Sequence, residues 1–173
     1  LNPDFEKISL VPQNFIKQKI ILSGISLGFK EIMPAAGPKY PCVTLTGQYL
    51  YQAKPKSAFT GGLDIFYTPS IYYQIMADTL IGAKKLDYTQ LGIIAGYELC
   101  MGKLSVLLQF GAYAITKSKY DGYLYHRLGV RYYFSNNLYA NLTLKTHFAK
   151  ADFIEWGLGY CFRKDKINNL QTE

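Results

Sequence analysis

Apolar and polar residues alternate along most of the chain between residues 17 and 162. From Leu138 to Phe148, small and large apolar side chains recur at every second position, while Tyr139 and His147 fall on the opposite side. A period of two is the repeat of a β-strand, because successive side chains of a strand point to opposite faces. This stretch therefore predicts a strand with one apolar face and one polar face.

The same alternation predicts eight strands in all. They cover residues 17–29, 42–53, 58–68, 88–99, 103–115, 124–134, 138–148 and 153–162. Short connections alternate with long ones, which is typical of outer-membrane barrels with tight periplasmic turns and longer outer loops. One long connection contains the segment 71–76, which could form an extra strand or a lid-like turn.

The expected fold is therefore all-β, an eight-stranded antiparallel transmembrane β-barrel of the outer-membrane type. Residues 1–16 are expected to form an irregular periplasmic lead-in, residues 17–162 the barrel and residues 163–173 a polar C-terminal tail. The chain opens at Leu1 without an initiator methionine or a basic, apolar leader, so we read it as a processed or trimmed protein. Both termini are then expected in the periplasm.

Composition and charge agree with this fold. The chain has 16 Tyr, 10 Phe and 15 Gly, but no apolar run of about 18 residues that could form a transmembrane helix. The formal net charge of +7 indicates an anionic partner. Because no nucleic-acid-binding motif is present, a phosphorylated lipid is favoured over nucleic acid. The three cysteines, Cys42, Cys100 and Cys161, lack disulfide or metal-ligand spacing, and no metal or cofactor is expected.

Charged side chains fall mainly on the polar faces of the strands. By parity, the interior of the barrel should hold three acids and three bases, which are Asp64, Glu98, Glu155, Arg127, Arg131 and Lys145. An eight-stranded barrel has room only for side chains, so these groups are expected to pair with one another. The alternative is a soluble, lipocalin-like barrel with the two faces reversed. Aromatic residues at strand ends favour the membrane barrel, because they suit an interfacial girdle; they are Tyr51, Tyr67, Tyr97, Tyr132, Phe134, Tyr160 and Phe162.

The final strand has an end signature. Glu155, Gly157, Tyr160 and Phe162 form a polar-x-Gly-x-x-aromatic-x-aromatic pattern that resembles the C-terminal signal of bacterial outer-membrane barrels. Residues 143–162, TLKTHFAKADFIEWGLGYCF, also resemble the PagL-like lipid A deacylases, often labelled acyloxyacyl hydrolases. The likeness extends to GFKEIMPAAGPKY at 28–40 and FTGGLDIFYTPS at 59–70.

The resemblance implies an eight-stranded outer-membrane barrel that hydrolyses an ester-linked acyl chain of lipid A. The family uses a His-x-Ser motif on the seventh strand and a Glu on or near the eighth, as nucleophilic serine, histidine base and orienting acid. His147 matches the motif histidine, and Glu155 is the candidate acid. Ala149 occupies the serine position, and its methyl group cannot attack an ester, so the serine mechanism cannot run as written.

Other arrangements around His147 remain open. By parity His147 and Glu155 face inward, away from lipid, although a β-bulge near Thr146 could reverse them. Thr146 or Asp152 could take part in chemistry, for example with water as the nucleophile, or His147, Lys145 and Glu155 could form a hydrogen-bonded plug at the barrel mouth. The other histidine, His126, is expected to be a polar tip at the membrane interface.

Several lysines fall in the predicted outer loops. In a lipopolysaccharide-binding protein they would contact lipid phosphates, and in a structural protein they would keep the loops solvated; they are Lys39, Lys84, Lys85, Lys117, Lys119 and Lys150. Two functions remain: a lipid A deacylase-like ester hydrolase, or a catalytically inactive structural or accessory barrel in an outer-membrane protein complex. Both imply that lipopolysaccharide or lipid A and membrane lipid are partners, and other outer-membrane proteins are a further option. Both also imply that the protein lies in the outer membrane of a Gram-negative bacterium.

Overall fold

The structure is a computed structural model that describes residues 15–31, 37–73, 88–116, 122–148 and 150–163. It is a closed barrel in which each strand pairs with its sequence neighbours and the first pairs with the last, all antiparallel. The strands are β1 (Gln18–Glu31), β2 (Lys39–Lys54), β3 (Ser57–Tyr67), β4 (Thr89–Met101), β5 (Leu104–Ile115), β6 (Leu124–Tyr133), β7 (Leu138–His147) and β8 (Lys150–Arg163). The predicted eight-stranded fold is confirmed. No helix in the described ranges is long and apolar enough to cross a membrane.

The two ends of the barrel differ in their connections. The turn end has the connections 55–56, 102–103 and 134–137, and the loop end has the connections 32–38, 68–88, 116–123 and 148–149. The last of these is tighter than the sequence predicted, because β8 already begins at Lys150 instead of after residue 152. Phe148, with φ of 53°, adopts a left-handed conformation that lets the chain reverse here. Beyond the barrel, residues 1–14 and 164–173 of the predicted lead-in and tail lie outside the described residues.

Part of the loop end is helical. The N–H groups of Ile71 and Tyr72 donate to the carbonyl oxygens of Thr68 and Pro69, at 3.1 and 3.0 Å. The described beginning of the segment 71–76 is therefore a helical turn and not a strand, and residues 74–76 lie outside the described ranges.

The outer wall of the barrel is apolar and exposed. Trp156 and Leu142 keep 56% and 52% of their surface open. The same face carries Ile21, Ile25, Leu27, Leu45, Leu63, Ile65, Ile93, Leu108, Leu128, Ile154 and Leu158. A contiguous exposed apolar wall on a closed barrel is the surface that lipid covers. The lipocalin-like alternative requires these residues inside, and the structure contradicts it.

Aromatic side chains cluster near the strand ends of this wall. The rings of Tyr132 and Phe134 are 5.2 Å apart, and those of Tyr160 and Phe162 are 4.8 Å apart, both pairs near the turn end. Tyr67 is exposed at the loop end. Amphipathic rings at both ends of the apolar wall are typical of the interfacial girdles of a membrane barrel.

The interior is filled by polar groups between two apolar layers. Near the turn end, Tyr139 packs with Ile20, Leu22, Leu50, Ala58 and Cys161. Near the loop end, Phe66, Ile94, Tyr113 and Tyr125 form a second layer. Glycines on neighbouring strands make room for the largest rings. A Cβ on Gly111 would lie 2.2 Å from Tyr125 Cζ, and one on Gly159 would lie 2.1 Å from Tyr139 Cζ. Inward glycines therefore accommodate inward tyrosines.

Candidate functional site

The residues singled out on the last hairpin meet inside the loop end of the barrel. His147, at the end of β7, points inward, so parity was right for this residue. Its Nε2 lies 3.0 Å from Asp152 Oδ2, and its Nδ1 lies 3.1 Å from the carbonyl oxygen of Leu124. Its ring also stacks on Tyr113, with centroids 5.9 Å apart. His147 is thus held by contacts from three other strands.

A β-bulge places Asp152. Lys145 pairs with Phe153 and Thr146 pairs with Ala151, which leaves Asp152 as the extra residue of β8. An extra residue bends its strand and re-aims the side chain. The bulge that the sequence allowed near Thr146 therefore exists, but it brings Asp152 into the barrel mouth and leaves His147 and Glu155 inside.

Both ring nitrogens of His147 face acceptors. A carbonyl oxygen only accepts hydrogen bonds, and so does an ionised carboxylate. With the proton on Nε2 donated to Asp152, Nδ1 faces a carbonyl oxygen, which has no proton to give. Neither ring nitrogen is turned toward a nucleophile, so the geometry suits a structural role better than that of a general base.

Two lysines share the same carboxylate. Lys30 Nζ lies 3.0 Å from Asp152 Oδ1, and Lys145 Nζ lies 3.5 Å from Asp152 Oδ2. All of these side chains are nearly buried. We call His147, Asp152, Lys30 and Lys145 the mouth cluster. The Asp152 carboxylate therefore contacts two ammonium groups and an imidazole ring, and it holds these side chains together in the barrel mouth.

Lys145 is further stabilised by aromatic rings. Its Nζ lies 4.0 Å from the ring centroid of Phe66 and 5.0 Å from that of Phe153, and Tyr113 and Tyr125 are within 5.5 Å. The negative faces of aromatic rings attract a cation, and this attraction offsets part of the cost of burying an ammonium group. This cage could not be predicted from the sequence, because its members come from β3, β5, β6 and β8.

Glu155, the candidate acid, belongs to a different network. Arg127 Nε lies 2.7 Å from Glu155 Oε2, while the hydroxyls of Thr44 and Thr143 donate to the same carboxylate at 2.7 and 3.2 Å. Arg127 Nη1 also reaches Asp64 Oδ2 at 3.1 Å. The structure thus pairs His147 with Asp152 and not with Glu155, because Glu155 lies deeper in the barrel and is held by Arg127.

The remaining interior charges form another pair. Arg131 Nη1 lies 2.7 Å from Glu98 Oε2, and the hydroxyl of Tyr133 donates to Glu98 Oε1 at 2.8 Å. The six charged residues expected in the interior are all buried there. Lys30 is a further buried charge that was not predicted. It follows the inward parity of Ser26 and Gly28 on β1, so the alternation could have revealed it.

Other candidate residues are placed less centrally. Lys39 and Lys150 are exposed at the loop end, whereas Lys84, Lys85, Lys117, Lys119 and Ala149 lie outside the described residues. His126 lies on the outer wall against Phe110 and Phe148, with ring centroids 5.0 and 5.7 Å away. The three cysteines are free thiols. Within the described ranges, no group of three or more His, Cys, Asp or Glu could hold a metal ion.

Comparison with known proteins gives a family match. The family model for the acyloxyacyl hydrolase C-terminal domain, PagL_C, matches residues 16–164. Among curated proteins, no sequence matches this one significantly. Similar solved structures include a de novo designed transmembrane β-barrel, with 12% identity over 83% of this chain and 95% of that chain and a TM-score of 0.48. Ail, the attachment invasion locus protein of Yersinia pestis, bound to the heparin analogue sucrose octasulfate, has 14% identity over 84% and 98% of the chains and a TM-score of 0.42.

Proposed function

The chain belongs to the acyloxyacyl hydrolase family, and from that premise we propose that it is a lipid A-binding structural barrel that does not use the family's serine mechanism. It would reside in the outer membrane of a Gram-negative bacterium, with the loop end outside and both termini in the periplasm. The observation that carries the proposal is the separation of His147 and Glu155 into two charge networks. A serine-type site requires nucleophile, base and acid in one hydrogen-bonded line.

The sequence supports the same conclusion. Ala149 stands where the family has its serine, so the chain lacks the hydroxyl that would form the acyl intermediate. Glu155 is committed to Arg127, and His147 is committed to Asp152 and a backbone carbonyl. An acid and a base that each stabilise the barrel interior are not available to orient and deprotonate a nucleophile.

Binding of lipid A is supported by the outer surface. The apolar wall fits acyl chains. Lys39 and Lys150, exposed at the end of the wall that would meet the outer leaflet, fit the phosphates of the lipid headgroup. A lysine near a membrane surface contributes about 1 kcal/mol toward anionic lipid.

A mass spectrum of lipid A tests the proposal. The full-length barrel is reconstituted in vesicles that contain lipid A, and the lipid is analysed before and after incubation. We expect an unchanged acyl-chain pattern for the wild type. Ala149→Ser, which returns a hydroxyl to the motif position, is expected to leave the pattern unchanged as well, because the two ring nitrogens of His147 face Asp152 and the carbonyl oxygen of Leu124. Loss of an acyl chain with the wild type would overturn the proposal.

Lipid binding is tested separately by native mass spectrometry of the detergent-extracted barrel. Lys39→Gln should retain less lipid A than the wild type. Lys54→Gln is the matched control, because Lys54 is an exposed lysine at the opposite end of the same strand, β2. Equal retention by the two variants would contradict a phosphate contact at the loop end.

The second candidate is ester hydrolysis with water as the nucleophile. The 3.0 Å contact between His147 and Asp152 favours it, since an orienting carboxylate is what a histidine base requires. It predicts loss of an acyl chain in the same vesicle assay, abolished by His147→Asn. The inward direction of His147, behind the barrel wall, favours the structural barrel.

A further inference from the structure

A second feature lies at the opposite end of the barrel from the mouth cluster. A cavity of about 550 Å³ opens at the turn end, which is within the range of about 300–1,000 Å³ typical of small-molecule sites. Its inner part is lined by Ile20 and Leu50 from the apolar layer and by the ring of Tyr133. The cavity therefore combines an apolar floor with an opening toward water.

Its charged lining residues have one sign. Lys103 and Arg163 line the cavity, together with Gln18, Gln52 and Asn136, and none of the lining residues within the described ranges is an aspartate or glutamate. Glu98 is hydrogen-bonded by Tyr133 and paired with Arg131, so its carboxylate is already engaged. Among the described residues, no carboxylate of the cavity lining neutralises these two cations.

Two hydrogen-bond donors in the cavity wall have no strong acceptor among the described residues. Ser105 is 1% exposed, and within the described part of the chain its hydroxyl has no better acceptor than the weakly polar Cys100 thiol beside it. The Nε of Arg163 is likewise buried without a partner there. Buried polar atoms are almost always hydrogen-bonded, so unpaired donors around a cavity indicate a ligand that accepts.

We propose that the turn-end cavity binds a small anion that carries an apolar group, such as a phosphate monoester. Its phosphate oxygens accept hydrogen bonds from Arg163 and Ser105 and meet the charge of Lys103, because guanidinium groups match phosphate geometry. Its apolar part covers Ile20 and Leu50. The site is independent of the proposed function at the loop end.

Calorimetric titration of the full-length barrel in lipid nanodiscs tests the site. The probe is phenyl phosphate. Two control ligands each lack one part of it: inorganic phosphate lacks the apolar ring, and phenol lacks the phosphate. We expect saturable binding of phenyl phosphate, with both half-ligands at least about tenfold weaker, since each loses either the apolar or the charged contacts.

Variants locate the binding. Arg163→Gln should weaken phenyl phosphate about tenfold, and Ser105→Ala several-fold. Lys54→Gln, at an exposed lysine of the same end that does not line the cavity, should bind as the wild type does. Lys103→Gln, in an exposed turn, replaces Arg163→Gln if that variant fails to show the heat-dependent gel shift of a folded barrel.

Three results would overturn the site. They are the absence of saturable binding to the folded wild type, binding that the cavity variants leave unchanged, and an equal loss with Lys54→Gln. The last would show that the probe only follows the positive charge of the protein.

Discussion

The mouth cluster and the turn-end cavity differ in how their polar groups are paired. In the mouth cluster, the carboxylate of Asp152 contacts Lys30, Lys145 and His147, and aromatic rings surround Lys145. At the turn end, a cavity remains open, and the donors of Ser105 and Arg163 have no strong acceptor among the described residues. A fully paired cluster stabilises the fold, whereas unpaired donors beside a cavity are suited to binding. The histidine that the family likeness singled out thus lies at the structural end.

The largest expected effect comes from breaking the network beneath the mouth cluster. Arg127→Met leaves both Glu155 and Asp64 without their buried cation. Removal of one partner of a buried ion pair typically costs about 3–5 kcal/mol. We expect a loss of this size in the free energy of unfolding by urea in vesicles, followed by Trp156 fluorescence. Lys54→Met, an exposed control, should change little, and a loss below about 1 kcal/mol for Arg127→Met would contradict the network.

The mouth cluster itself should show the next largest effect. Asp152→Asn removes the charge that Lys30, Lys145 and His147 share, and hydrogen bonds to charged groups contribute about 1.5–3 kcal/mol. We expect a destabilisation of about 2–3 kcal/mol in the same assay. Adding Lys30→Met should restore part of it, because one of the buried cations that lost the charge of Asp152 is removed. A double variant less stable than Asp152→Asn would show that Lys30 does not depend on Asp152.

The smallest effects compare one hydroxyl from each half of the barrel. Thr143 donates to Glu155, so Thr143→Val should cost about 1 kcal/mol. The hydroxyl of Ser105 has no partner within the described chain, so Ser105→Ala should remain within about 0.5 kcal/mol of the wild type. An equal loss of stability for the two variants would mean that the Ser105 hydroxyl is hydrogen-bonded as well as the Thr143 hydroxyl is.

Much of the fold follows from the sequence because a strand has a strict period of two. On β7, and on β8 after Phe153, one register decides which side chains point inward and which point outward. The single apolar face of each strand fixes that register. The buried positions of Arg131 and Glu98 and the exposed position of Leu142 could be predicted in this way.

The site could be predicted only in part. His147 and Asp152 were both visible as candidates, but their pairing depends on the bulge at Asp152 and the left-handed turn at Phe148. A bulge shifts the phase of the alternation by one residue, but on β8 only Lys150 and Ala151 precede it, which is too short a stretch for the shift to show in the sequence. The aromatic cage and the turn-end cavity also escaped prediction, because they join residues from distant strands.

The most direct test of the account uses the single tryptophan of the chain. Trp156 lies on the outer wall, 56% exposed, on the strand that also carries Glu155 inward. In vesicles with brominated acyl chains, we expect blue-shifted Trp156 emission that is strongly quenched, because its ring contacts lipid tails. Emission that bromine leaves unquenched would place this face away from lipid and contradict the membrane barrel with its charges inside.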